Sequence, residues 1–199
     1  MMKINKGFKF MLELPNDSIN TVNIIGIDPG TVHLGVSVIS IDAETREISG
    51  SIAFTIDASK LNKNSSWLID TYGDRFSRID FLTTELLDIF ISYNPLIICA
   101  ESPFFGLRHP SAFQALTEVI CAIRNTVYKF DPWRTLRLVS PSEVKQAVFA
   151  KGNATKITVK DSIRELLTEL KYTGNIPFDS LDEHSIDALA IGYYVYKNL

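Results

Sequence analysis

The chain has 199 residues, 46% of them hydrophobic, with a formal net charge of -3 and a mean hydropathy of +0.09. That length suits one sizeable core, and no apolar run approaches the ~20 residues that cross a bilayer. The small negative charge argues against a dedicated polyanion binder. The stretch from Lys3 to Leu14 lacks the long apolar core and cleavage site of a secretory signal. Cys99 and Cys121 both fall in apolar segments, where they are expected to be core thiols in a protein of the cytoplasm.

Residues 1–20 form a short N-terminal extension ahead of a single domain over 21–199. Val22 to Asp28, His33 to Ile41 and Ile48 to Thr55 are predicted strands joined by short turns, an antiparallel meander. Asp57 to Gly73 is polar and reads as a loop, with Trp67 expected to anchor it to the core. Apolar residues at helical spacing predict a helix over Asp74 to Ser92, ended by Asn94-Pro95. Leu96 to Ala100 is a continuous apolar run, as in a strand buried on both faces. Ser111 to Tyr128 reads as a helix, Thr135 to Val139 as a strand and Ser142 to Phe149 as a short helix. A helix from a cap at Asn153 to about Lys171 and a last helix from Leu181 to Tyr196 follow. This order predicts an α/β fold, a mixed sheet with helices on both faces.

Three acidic positions stand out. Asp28 closes an apolar strand and leads into the Pro29-Gly30 turn, and Glu101 ends the run Leu96 to Ala100. The two would meet if their strands are neighbours. Asp28 could also serve only to cap its own turn. The third position is Asp187, in His184-Ser185-Ile186-Asp187-Ala188. His184 lies three residues before Asp187 and Glu183 four, so either can share a helix face with it. Asp182 is placed to cap that helix. Two divalent ions ~3.5 to 4 Å apart can activate water and stabilise a leaving oxygen in phosphodiester hydrolysis. Mg²⁺ keeps several waters, so three or four protein groups are enough to hold it.

Charge is also uneven along the chain. Between Lys129 and Arg164 eight basic side chains accompany three acids, a local charge of +5 that leaves -8 elsewhere. A basic third beside an acidic remainder fits a nucleic-acid enzyme with a carboxylate site, or a solvated helix face.

Together these residues resemble the RuvC-type Holliday junction resolvases of the ribonuclease H-like superfamily. The motifs are Ile27 to Thr31 with Gly35, Ala100 to Phe104, Pro141 to Lys145 with Gly152 to Lys156, and His184 to Ala190, in the family's order. The resemblance implies a five-stranded mixed sheet. It also implies that Asp28, Glu101, His184 and Asp187 bind two Mg²⁺ or Mn²⁺ ions, with Lys145 and Lys156 approaching the scissile DNA. Phe104, Phe105, Arg108, Lys151 and Lys160 are the expected DNA contacts, and Phe104 can stack on an unpaired base. Family members act as homodimers on branched DNA such as a four-way junction. Ser111 to Tyr128, carrying Phe113, Leu116, Val119, Ile120 and Ile123, is the candidate interface, or is simply buried in its own domain. Residues 1–20, the stretch 57–73 and Phe105 to Pro110 depart from the family pattern.

Other readings share some of these residues. Asp28-Pro29-Gly30-Thr31 also resembles the phosphate loop of the actin and sugar-kinase superfamily, which requires two lobes and a second glycine-rich motif. An RNA-processing nuclease of the same fold and a non-catalytic branched-DNA binder are further alternatives.

Overall fold

The computed structural model describes residues 20–59, 61, 66–103, 110–148 and 156–199. Strands β1 (Thr21–Asp28), β2 (His33–Asp42) and β3 (Ile48–Asp57) form the meander. β4 (Ile97–Glu101) and β5 (Leu136–Val139) complete one sheet of order β3-β2-β1-β4-β5. The pairs β1/β2 and β2/β3 are antiparallel, and β1/β4 and β4/β5 are parallel. The expected mixed sheet is therefore the one that forms.

Strand alternation divides the core in two. Ile25, Ile27, Val36, Val38, Ile98 and Ala100 face helices α2 (Asp74–Tyr93) and α3 (Pro110–Phe130), where Leu82, Leu86, Phe90, Ile120 and Ile123 cover them. Ile24, Ile39, Ile97 and Cys99 face the opposite layer. That layer comprises α4 (Pro141–Ala147), α5 (Lys156–Glu165), α6 (Leu167–Leu170) and α7 (Glu183–Lys197).

Asn94, in the left-handed conformation with φ 43°, ends α2 just before Pro95. Pro141 lies in the first turn of α4, where its missing N–H costs nothing, and the Ser140 N–H donates to Glu143 Oε2 at 3.3 Å. Asp182 caps α7 by accepting from the Ser185 N–H at 2.9 Å. Its other donors, Ser185 and Thr55, offset the cost of partial burial and hold its carboxyl below the ordinary range.

Four expectations need correction. The stretch 57–73 is not all loop, because β3 continues to Asp57 and a helix α1 spans Ser66–Tyr72. Trp67 does not anchor to the core, since it is 64% exposed on that helix. The helix expected to run to Lys171 is broken at Leu166, whose N–H turns tightly to the Ile163 carbonyl while Leu166 and Leu167 both pack on the core. Cys99 is buried, but Cys121 is exposed, because α3 turns Ile120 and Ile123 to the core and leaves Cys121 outside.

Candidate active site

In the parallel pairing of β1 with β4, Ile27 stands opposite Ala100, so Asp28 and Glu101 follow as neighbouring strand ends. Ile27 and Ala100 face the α2/α3 layer, which sends the next side chain of each strand to the α7 side. The sequence could nominate these acids; the crossover from β3 through α1 and α2 to β4 is what sets them side by side.

Helix α7 reaches that edge because the sheet surface beneath it is nearly bare. A Cβ on Gly26 would stand 2.4 Å from the Ala188 carbonyl oxygen and 2.6 Å from the Gly192 nitrogen. One on Gly35 would stand 2.0 Å from the His184 carbonyl oxygen. Real Cβ contacts do not come so close, so the helix backbone occupies the space that side chains would fill. Ser37 on β2 fastens it there, donating from Oγ to the Ala188 carbonyl at 2.7 Å. Gly35 is the cross-strand partner of Asp28, so its bare surface seats His184 beside that carboxylate.

His184 Nδ1 lies 2.7 Å from Asp28 Oδ2, with the two side chains 27% and 16% exposed. The hydrogen bond to Asp28 holds the imidazole above its ordinary pKa, against the opposing effect of burial. Glu183 lies on the outer side of that imidazole from Asp28's contact at Nδ1, near Nε2. With Asp187, Lys160 and Arg164 it lines a cavity of about 410 Å³ between α5 and α7, and its Oε1 is 3.8 Å from His184 Nε2. Asp187 also borders a smaller cavity of about 170 Å³, with Glu101, Lys145 and Val144. The arrangement is thus an Asp28–His184 pair beside Glu101, Asp187 and Lys145 at the same sheet edge.

Among the described residues, no three His, Cys, Asp or Glu side chains converge as a ready metal cluster. The donor set itself fits a hard divalent cation, with three carboxylates and one imidazole delivered from two strand ends and one helix. An ion taking both Asp28 and His184 must displace the hydrogen bond between them.

The basic segment is partly neutralised at home. Lys160 Nζ donates to the carbonyls of Asp179 at 3.0 Å and Leu181 at 2.8 Å, bracing the turn that enters α7. Arg164 pairs with Asp161 and Asp179 and lies over the Phe178 ring. Arg134 pairs with Asp131. Phe104, Phe105, Arg108 and Lys151 lie outside the described residues, as does the side chain of Lys156. Of the apolar residues of α3, Val119, Ile120 and Ile123 are buried in the chain's own core, and Phe113 and Leu116 are half-buried. The main stripe of that helix covers the sheet, while Tyr128, at 69% exposed, lies outside it.

Two residues at the mouth escaped the sequence reading. His33 stacks on His184, and Asp57 faces His33 across β2 and β3. A histidine opening the strand that follows the Asp28 turn was the available signal.

No family model matches the chain. A curated relative, crossover junction endodeoxyribonuclease RuvC of Dictyoglomus thermophilum, is 29% identical over 178 residues, covering 87% of this chain and 96% of the relative. Further proteins of that name share 24% to 28% identity. Thermus thermophilus RuvC, solved with Holliday junction substrate, superposes with a TM-score of 0.61 at 20% identity, covering 89% of this chain and 95% of the other. The yeast mitochondrial Holliday junction resolvase Ydc2 gives 0.61 at 14% identity, over 88% and 78%. The sheet order, the helices on both faces and these relatives along most of the chain make it a homologue of the RuvC-type Holliday junction resolvases.

Proposed function

We propose that this chain is a metal-dependent, structure-selective DNA endonuclease that resolves Holliday junctions or related branched DNA by paired phosphodiester hydrolysis. Its nuclease unit spans residues 21–199. The observation that carries the reading is the placement, at one edge of a mixed five-stranded sheet, of the Asp28–His184 pair beside the cavity that Glu101 and Asp187 line, from segments distant in sequence. Asp28, Glu101, His184 and Asp187 would hold two Mg²⁺ or Mn²⁺ ions. When bound, such ions supply an activated water and compensate the charge of the attacking and leaving oxygens.

The chain's own groups do the rest. Asp28 and Glu101 are presented from strand ends, a more rigid mount than a loop. The Ser102 N–H donates to the Val139 carbonyl at 2.9 Å, so the backbone just past Glu101 is tied to β5. Lys145 borders the same cavity as Glu101 and Asp187, where its ammonium offsets the negative charge of an incoming phosphate. Lys156 and Lys151, with Phe104, Phe105 and Arg108, extend the DNA contacts in this reading. Lys160 keeps one donor beyond its two carbonyl bonds for a phosphate.

A junction has two opposed strands to cut and the described residues hold one such site, so the working species is a two-fold homodimer. Synthetic four-way, three-way, flap and linear duplex DNA, incubated with and without Mg²⁺, test the whole reading. The four-way junction should be cut in paired fashion only with the metal, and mass measurement should give a dimer at micromolar concentration. Equal cutting of linear duplex would refute structure selectivity, and a strict monomer making uncoupled nicks would leave a branch nickase.

A further inference from the structure

His33 enters β2 from the Pro29-Gly30 turn, which is tight enough that a Cβ on Gly30 would stand 2.1 Å from the His33 carbonyl oxygen. Its backbone is then locked by sheet pairing. His33 faces Asp57 across β2 and β3, and the Ala58 N–H donates to the Val32 carbonyl at 2.8 Å. The imidazole lies over that of His184 with ring centroids 5.4 Å apart and planes 28° from parallel. His33 Nε2 is 3.4 Å from Asp57 Oδ1, an oxygen that also accepts from the Ser59 N–H at 2.7 Å. At 44% exposed, His33 is not a core-filling group, so its packing value must lie in what it touches.

What it touches is the imidazole that pairs with Asp28 in the candidate site. The torsion that turns a histidine ring about its own bond has a broad energy well, so the ring plane is only loosely set by its own chain. The hydrogen bond to Asp28 fixes one edge of His184 but not the tilt of the ring about that edge. A flat neighbour against its face removes the remaining freedom, and a neighbour that is itself held does so best. We propose that His33 is a positioning residue of the nuclease site, a ring platform that sets the plane of His184, with Asp57 holding the platform in turn. The proposal rests on the nuclease reading above, since it assigns His33 to the presentation of a ligand. His33 makes no metal contact in it.

Three variants test this, H33A, which removes the platform, H33F, which keeps a ring but loses Asp57, and D57N, which keeps the ring and weakens its tether. The readouts are single-turnover cutting of a four-way junction in Mg²⁺, junction affinity without metal, and the ring-nitrogen NMR signals of His184 in the metal-free protein. H33A should slow cutting roughly 10- to 100-fold, the scale of a misplaced site group, with junction affinity within about twofold of wild type. Its His184 signals should shift or broaden. H33F should recover most of the rate, and D57N should fall between. Wild-type cutting and unchanged His184 signals in H33A would overturn the proposal. So would loss of junction affinity, which would make His33 a DNA contact, or an H33F as slow as H33A, which would show that the ring is not the working part. Should H33A not fold, H33F and D57N carry the same comparison through the His184 signals. Should the wild type cut no junction, the nuclease reading falls, while the His184 signals still decide whether His33 sets that ring.

Discussion

Gly35→Ala is a single methyl placed where the site is most tightly built. The added carbon would stand 2.0 Å from the His184 carbonyl oxygen, 2.5 Å from its carbonyl carbon and 3.1 Å from Asp28 Cβ. Ordinary contact begins at 3.4 Å, so the start of α7 and the β1–β2 edge must part by about 1.4 Å. The obstacle is backbone on the α7 side and a Cβ fixed to the β1 backbone on the other, with no flexible side-chain end to swing aside. Moved that far, His184 Nδ1 leaves the 2.7 Å bond to Asp28 and passes the ~3.2 Å limit of a good hydrogen bond. Overpacking of this kind costs about 1 to 3 kcal/mol. At about 2 to 4 °C per kcal/mol for a domain of this size, the melting temperature should fall by roughly 2 to 12 °C. Displacing a site group by about 1 Å costs on the order of 100-fold in rate, so cutting should suffer far more than folding. Thermal melts beside single-turnover cutting of a four-way junction measure both quantities. A Gly35→Ala protein that cuts within about threefold of wild type would refute the claim that this bare patch seats the helix carrying His184.

Removing a site carboxylate should separate cutting from binding: Asp28→Asn, Glu101→Gln and Asp187→Asn should each lose cleavage by several orders of magnitude while junction affinity in gel shifts is kept or strengthened, as less negative charge faces phosphate. Acidity should act on stability and on cutting with opposite sign. His184 is held above its ordinary 6.5 by Asp28, so in the metal-free chain the pair stabilises fully below 6.5 and that contribution is lost as pH rises through the raised folded value. In the nuclease reading His184 serves as a neutral ligand, so the rate should rise with pH as the imidazole loses its proton. Denaturant melts at about pH 6 and about pH 9 should converge for His184→Gln relative to wild type, and a rate profile reads the second effect. Lys145→Ala should lower the magnitude of the log-log salt slope of junction binding by about 1 if its ammonium neutralises one phosphate, and an unchanged slope would place it away from the backbone.

Much of the architecture was legible because it is written in short-range pattern. Alternation marks β1 to β3, helical spacing marks α2, and Asn94-Pro95 and Asp182 mark a helix end and a helix start. These signals depend on a few consecutive residues and survive without knowledge of what lies across from them. The acids at Asp28 and Glu101 were visible for the same reason, each interrupting an apolar strand at its end.

What the sequence left open depends on partners far away in the chain. How much of the apolar surface of α3 the sheet consumes depends on tertiary packing, and Val119, Ile120 and Ile123 all go inward. The choice between His184 and Glu183 could not be made from helix spacing, since both stand within one turn of Asp187. It is Gly35 on β2, 149 residues earlier, whose missing side chain lets the His184 backbone in and brings that ring to Asp28. Lys160 reads in sequence as one more charge in a basic run, and only the fold shows its ammonium bracing the turn ahead of α7. His33 shows in sequence only as a histidine opening β2, because a stacking partner is a fact of distance in space. Local pattern determined the elements; close approach between backbone segments, which no window of sequence can hold, decided which side chains face one another at the site.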